Sequence, residues 1–180
     1  MDISISKAPR SIDRRTMAKA AQFYARTLMS DRLTKNIKID IEFTDLTNHG
    51  CTAMVNWEDC NWRPRWFTIY IDRDLKQRTA LTNLAHEMVH VKQHATGESR
   101  DNLRDSHLPK WQGRVYNVDK VDYFDLPWEV EAFGRERALY VRFKEECTRE
   151  KKNYKAAKSS RARPSRSKIS KADRQEQKTL

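Results

Sequence analysis

Five consecutive residues, His86-Glu87-Met88-Val89-His90, have the HExxH spacing of a zinc-binding helix. Residues four apart lie on one face of a helix, so the His86 and His90 imidazoles can bind the same ion. Glu87 is then placed to take a proton from a metal-activated water and to return it to a leaving amine. We expect the metal to be Zn²⁺ and Glu87 to be the general base.

The residues around the motif predict the helix that carries it. Within residues 74–95, apolar side chains recur at helical spacing and form a stripe that faces a core: Leu81, Leu84, Ala85, Met88 and Val89. Gly97 follows directly and is the residue type that most often ends a helix. The HExxH residues are therefore expected in the middle of a packed helix.

A catalytic zinc usually has three protein ligands, so the two histidines need a third partner. His94 lies one further turn along the helix, roughly 6 Å past His90, and we expect it to overshoot the shared metal. His107 lies in a polar segment after the helix, and a returning loop could bring it to the ion.

Two acids at the start of the last predicted helix, residues 127–146, are the other candidates. Glu129 shares a helical face with a small residue and an aromatic residue that could pack against the HExxH helix. Glu131 instead precedes Arg135 by four residues, the spacing of an ordinary solvated ion pair. We favour Glu129 as the third ligand and keep His107 as the alternative.

The remaining patterns predict an α+β domain with a small, largely antiparallel sheet. Residues 11–30 have the periodicity of an amphipathic helix, with Ser11 as its cap. Residues 36–43 and 51–57 alternate like two strands of a hairpin or meander, and residues 66–71 form a third strand. We expect residues 66–71 to be an edge strand that can hold an extended peptide, and a further strand over residues 111–118.

The charge of the chain is concentrated at one end. The 180 residues carry a net charge of +11, and residues 149–180 account for +9 of it. We expect a nearly neutral domain over residues 1–148 and a basic tail, disordered or partly helical, that attracts DNA or RNA through counterion release. The tail residues expected to contact nucleic acid are Lys151, Lys152, Lys155, Lys158, Arg161, Arg163, Arg166 and Lys168.

Composition excludes several other classes of protein. No apolar run approaches the roughly 20 residues of a membrane span, and residues 1–16 lack the apolar stretch of a secretory signal. Three cysteines without CxxC spacing argue against a disulfide framework and a thiolate zinc site. We therefore expect a cytoplasmic protein with no membrane partner. The tryptophans at 57, 62 and 66 are expected at the core and rim of the sheet rather than on a base-stacking platform.

The motif and the segment Pro127 to Ala132 together resemble the gluzincin metallopeptidases, in which a downstream Glu-x-x-Ala helix supplies the third zinc ligand. The likeness is strongest to small SprT-like metallopeptidases of tailed bacteriophages and covers about residues 35–140. It implies a zincin-like fold, Glu129 as a ligand and a location in the host cytoplasm. The chain departs from the fuller motif at Phe133, where gluzincins have an acid that orients a ligand histidine.

A second likeness points to a different ligand. SprT and Spartan-type proteases, which cut proteins crosslinked to DNA, take their third ligand from a histidine in a loop after the HExxH helix. The segment from Ser106 to Trp111 resembles that loop and would place His107 at the metal, although it lacks the usual glycine after the histidine.

The patterns together predict a zinc-dependent metallopeptidase that hydrolyses peptide bonds, including those of proteins associated with DNA. The alternative is a non-catalytic protein associated with nucleic acid, in which the zinc is a structural staple.

Overall fold

The computed structural model describes residues 1–59, 61–100 and 107–161. The described chain has an α+β fold. Its helices are α1 (Arg14–Leu28), α2 (Asp31–Lys35), α3 (Gln77–Thr96) and α4 (Pro127–Arg161). Its strands are β1 (Asp2–Ser6), β2 (Lys38–Thr44), β3 (Ala53–Trp57), β4 (Trp66–Asp72), β5 (Ser99–Arg100), β6 (Lys110–Trp111) and β7 (Arg114–Val115). Short 3₁₀ turns lie at Thr47–His49 and Tyr123–Asp125. The chain divides into two compact units, Met1–Lys144 and Glu145–Leu180.

The main sheet is mixed, so the prediction of a largely antiparallel sheet is wrong. Its strand order is β1-β2-β4-β3, in which β2 pairs in parallel with both β1 and β4 and only β3 and β4 are antiparallel. The predicted pairing of residues 36–43 with 51–57 is also wrong, because β4 lies between β2 and β3. Alternation along a strand shows which face is buried, but it does not select the neighbouring strand.

The first strand was missed, and it changes the shape of the sheet. β1 pairs in parallel with β2, and Asp2 lies opposite Lys38 at the start of the pairing. Helices α1 and α2 form the crossover between these two strands. With β1 at one edge and β3 at the other, β4 is an interior strand. The expectation that residues 66–71 form an edge strand is therefore wrong, and the edge nearest the HExxH residues is β3.

Helix α3, Gln77–Thr96, nearly coincides with the helix predicted over residues 74–95. The predicted apolar stripe is buried, and Gly97 ends the helix with a left-handed φ of 81°. α3 contacts α1 and the strands β3 and β4, and the Tyr24 hydroxyl of α1 donates to the Leu81 carbonyl of α3. Asp13, rather than the predicted Ser11, caps α1 by accepting a hydrogen bond from the Arg15 amide.

Two later segments differ from their predicted structure. The strand predicted over residues 111–118 is a tight hairpin of β6 and β7, because Gln112 and Gly113 adopt φ angles of 47° and 84°. Helix α4 continues to Arg161 rather than stopping near residue 146, since its Lys-, Glu- and Ala-rich second half consists of good helix formers.

The predicted tail is therefore helical over residues 149–161. Lys151, Lys152, Lys155 and Lys158 are exposed on this part of α4. Arg161 is its last residue, and Arg163, Arg166 and Lys168 lie outside the described residues. No helix in the described part of the chain combines the length and apolar character needed to span a membrane.

Candidate metal centre

Helix α3 brings the two motif histidines together. His86 and His90 are one turn apart, and their Nε2 atoms lie 3.1 Å from each other. Both side chains are almost fully buried, at 10% and 12% exposure. Because α3 is packed on α1 and the sheet, the position of both rings is set by the core of the domain.

Glu129, in the first turn of α4, completes the group. Its carboxylate oxygens lie 3.3 Å from His86 Nε2 and 3.5 Å from His90 Nε2. One ligand atom from each of the three residues lies within 4.8 Å of the others, a grouping that could hold a metal ion. The structure thus brings Glu129 next to the two motif histidines.

The donor set fits a small cation. Ligand atoms about 2.0–2.1 Å from one tetrahedral ion are roughly 3.3 Å apart, close to the three observed separations. Oε2 of Glu129 is buried and has no hydrogen-bond partner among the described residues, so a cation would satisfy it. Two imidazole nitrogens and a carboxylate oxygen are also the donor types of catalytic zinc sites.

The charge of Glu129 favours binding of a cation. Burial opposes ionisation of the Glu129 carboxyl, but the neighbouring His86 and His90 imidazoles outweigh it and lower its pKa to about 2. Burial likewise disfavours the charged imidazoles, but the Glu129 carboxylate, together with Glu87, outweighs it and raises the pKa of both histidines. The Glu129 carboxyl is therefore ionised at neutral pH, as a metal ligand must be, whereas the raised pKa of the histidines means that a bound metal competes with protons for them.

Glu87 lies beside this group with its carboxyl buried at 6% exposure. Burial raises the pKa of Glu87, and the adjacent histidines only partly oppose that shift. A carboxyl with a raised pKa is a better proton acceptor near neutral pH, which suits the predicted role of general base.

Glu136 orients His86, a contact that the sequence analysis missed. Its Oε2 accepts from His86 Nδ1 at 2.9 Å, which leaves Nε2 of His86 directed at Glu129. Phe133, where the sequence resemblance would place an orienting acid, instead has its ring centroid 4.7 Å from that of His86. The only sequence signal for Glu136 is that it shares a helical face with Glu129, two turns further on.

His90 is oriented by an amide rather than a carboxylate. Oε1 of Gln93 lies 2.8 Å from His90 Nδ1, and the Gln93 side chain is fully buried. Its Nε2 donates to the Trp128 carbonyl and to Glu131, so its oxygen is the atom that faces the imidazole. This arrangement fixes the proton on Nδ1 and leaves Nε2 of His90 as the lone-pair donor.

Glu131 differs from the prediction of a simple solvated pair. The expected ion pair with Arg135 is present at 2.9 Å, but Glu131 also bonds Lys92 at 3.0 Å and is only 18% exposed. Lys92 in turn bonds Glu98. Glu131 therefore links the start of α4 to α3 through an ion pair with Lys92, which supports the position of Glu129.

The two other ligand candidates lie outside the group of three. The His94 ring stacks on Trp57 with centroids 4.3 Å apart, and burial lowers the pKa of His94 to about 4. His107 is 63% exposed, with Nδ1 3.1 Å from Asp119. The expectation that His94 overshoots the metal fits this arrangement, and the alternative ligand His107 is not part of the described metal-binding group.

The centre opens into a cleft with two lobes, of about 360 and about 500 Å³. The residues that line both lobes are Cys51, Ala53, His86, Glu87 and Tyr123. The smaller lobe continues along Met54 and Val55 of β3, so the edge strand forms one wall of the cleft. Tyr123 lines both lobes and could donate a hydrogen bond to a reacting group. Tyr116 packs on Trp128, and Tyr140 faces Arg78.

The tryptophans of the sheet region are partly exposed. Trp62 is 63% exposed with Arg100 over its ring at 5.0 Å, and Trp66 is 41% exposed with Lys38 over its ring at 3.7 Å. Trp57 is half-buried against His94. The three rings thus lie at the rim of the fold, each against a different neighbour.

Comparison of the chain with models of known protein families, with curated proteins and with solved structures finds no match. Any assignment of function to this chain therefore rests on the geometry of the metal centre and its cleft.

Proposed function

We propose that this protein is a zinc-dependent metallopeptidase. The observation that carries the proposal is the convergence of His86, His90 and Glu129 beside the buried carboxyl of Glu87, within an open cleft. A structural zinc site is usually closed by four protein ligands, whereas three ligands in a cleft leave a position for water. This difference favours a catalytic site over a structural staple.

Zinc, when bound by these three residues, would supply Lewis acidity that acidifies a water and polarises a substrate carbonyl. Glu87 accepts the proton of the attacking water at its carboxylate and later delivers that proton to the leaving amine. Tyr123 supports charge on the substrate oxygen by donating from its hydroxyl. Burial, with the nearby Glu129 carboxylate, raises the pKa of Tyr123, so this hydroxyl keeps its proton at neutral pH.

We assign substrate binding to the edge strand β3. The Asp72 amide donates to the Thr52 carbonyl, and the Glu58 amide donates to the Trp66 carbonyl. Since hydrogen-bonded and non-bonded pairs alternate in an antiparallel ladder, Ala53 and Val55 turn their backbone N–H and C=O groups away from β4. Both residues line the cleft, so an extended peptide can add to β3 there.

A role in handling proteins bound to nucleic acid is the second part of the proposal. The four exposed lysines of α4 at 151, 152, 155 and 158 support it, because clustered cations attract polyanions without reading sequence. The non-catalytic alternative shares this feature, so only a test of catalysis separates the two functions.

Glu87→Gln separates them. The variant keeps all three proposed ligands, so we expect it to bind one zinc per chain as the wild type does. We also expect its cleavage of an unfolded protein substrate to fall at least about a hundredfold, because the general base is lost. Glu145→Gln, an exposed acid on α4, is the matched control. Equal cleavage by wild type and Glu87→Gln, or no cleavage by the zinc-loaded wild type, contradicts the proposal.

A further inference from the structure

The larger lobe of the cleft, which we call the aromatic lobe, has a wall of three rings. Tyr123 and Phe124 come from the 3₁₀ turn before α4, and Phe133 comes from the second turn of α4. The ring centroids of Tyr123 and Phe124 are 5.4 Å apart, and those of Phe124 and Phe133 are 5.5 Å apart. The rings therefore form one continuous apolar surface.

This surface is exposed although its residues are of the type that packs inside. Tyr123, Phe124 and Phe133 are 52%, 66% and 42% exposed. Single exposed apolar residues are common, but a contiguous exposed patch marks a place where something binds. Three clustered aromatic rings at the mouth of a cleft have the character of a ligand-binding wall.

The rings are held on a fixed backbone. The Asp122 carboxylate accepts from the Phe124 amide at 3.0 Å and caps the 3₁₀ turn. Leu126, at the end of that turn, is buried at 5% exposure. The wall is thus shaped before a ligand arrives, which lowers the entropic cost of binding.

The aromatic lobe is continuous with the metal centre. The Phe133 ring meets the His86 ring at an interplanar angle of 67°, and Glu87 lines the lobe. Gly50 and Thr52 line only the aromatic lobe, whereas Met54 and Val55 line only the smaller lobe. A peptide lying on β3 with its scissile bond at Glu87 therefore directs side chains from the two sides of that bond into different lobes.

We propose that the aromatic lobe binds an aromatic side chain of the substrate, on a residue that flanks the scissile peptide bond. The inference rests on the proposed peptidase function and specifies its substrate. Aromatic pairs prefer edge-to-face and offset contacts, and the exposed rings leave both open to an incoming ring. A cationic side chain is the weaker fit, because the Glu136 carboxylate on this wall is already bonded to His86.

Two measurements test the proposal. The first is cleavage by the zinc-loaded protein of two peptide libraries that differ only in having Phe or Ala at positions flanking the cleaved bond. The second is binding of the same Phe and Ala peptides to zinc-loaded Glu87→Gln, followed by fluorescence anisotropy of a labelled peptide. The second readout does not depend on catalysis.

We expect Phe to be preferred over Ala by at least about tenfold on one side of the bond. Phe124→Ala removes the most exposed ring and should lower cleavage and binding of Phe peptides about tenfold, with less than about a twofold effect on Ala peptides. Phe124→Tyr keeps an aromatic ring at this position and should retain the preference for Phe over Ala peptides. Val130→Ala, an exposed apolar residue of α4 that lines neither lobe, is the control and should change neither peptide.

The outcomes separate the two proposals. Cleavage without an aromatic preference, or equal losses for Phe and Ala peptides in Phe124→Ala, overturns the inference and leaves the peptidase function standing. Selective binding of Phe peptides without any cleavage supports the lobe and overturns the peptidase function. Absence of both selective binding and cleavage overturns both.

Discussion

The two motif histidines are held by chemically different partners. His86 Nδ1 is bonded to the carboxylate of Glu136, and His90 Nδ1 is bonded to the neutral amide of Gln93. A carboxylate partner raises the basicity of an imidazole ligand more than an amide does. Glu136 thus fixes the orientation of the His86 ring, which Phe133, having no polar side-chain atom, cannot do.

For single residues, we predict that Glu136→Ala weakens zinc binding about ten- to a hundredfold, because the His86 ring loses its orienting acceptor. Glu136→Gln keeps an acceptor oxygen and should lose less. Zinc affinity is measured by competition with a chromogenic chelator, with Glu145→Gln as a surface control. Wild-type affinity in Glu136→Ala contradicts the assigned role.

At the scale of the secondary structure elements, helix α3 was the most predictable part. The stripe from Leu81 to Val89 keeps helical spacing, and Gly97 marks the end of the helix, so local sequence determines the element. The spacing of the motif alone places His86 and His90 on one face of this helix. Glu129 required the additional expectation that α4 returns to α3, which the network around Glu131 and Lys92 now explains.

The sheet order was less predictable because it depends on contacts between distant strands. β1 has only five residues, and its partner β2 begins 36 residues after the first of them. No local sequence pattern in β2, β3 or β4 indicates that β4 lies between the other two strands. Glu136 was missed for a similar reason, since it meets His86 across a contact between α3 and α4 that only the folded chain creates. Gln93 lies three residues after His90 in the same helix, so its contact was a local signal that the sequence analysis did not use.

The edge strand provides the test at this scale. Val55→Pro removes a backbone N–H that faces away from β4, so the pairing of β3 and β4 should persist while peptide binding loses a hydrogen bond. We expect kcat/KM for a peptide to fall about three- to tenfold, which corresponds to the net free energy of one backbone hydrogen bond. Val55→Ala retains the N–H and is the control for loss of the side chain. Equal kinetics for Val55→Pro and Val55→Ala, with both variants folded by circular dichroism, refutes substrate addition to β3.

At the scale of the whole molecule, chemistry and charge are carried by different parts of the chain. The metal centre lies within Met1–Lys144, whereas residues 149–180 hold +9 of the net charge of +11. The concentrated charge is suited to retaining the protein on a polyanion, and the nearly neutral remainder contains the cleft. Binding to nucleic acid and cleavage of a short peptide should therefore be separable by mutation.

We predict that changing Lys151, Lys152, Lys155 and Lys158 together to Gln weakens binding to DNA and flattens its salt dependence. The slope of log K against log salt should fall by up to about 4, near one unit for each lysine that contacts a phosphate. Cleavage of a short neutral peptide should not change. The control changes four exposed bases of α1 to Gln: Arg14, Arg15, Lys19 and Arg26. An equal reduction of the slope in the control indicates that the charge of α4 has no special role.

The centre formed by His86, His90 and Glu129 is the claim on which the proposed activity depends. Its most direct test is the zinc content of the purified protein, measured by elemental mass spectrometry for wild type, Glu129→Gln and His107→Ala. We predict one zinc per chain in wild type and in His107→Ala, and a large loss of zinc in Glu129→Gln. Full zinc content in Glu129→Gln together with loss in His107→Ala would contradict the account.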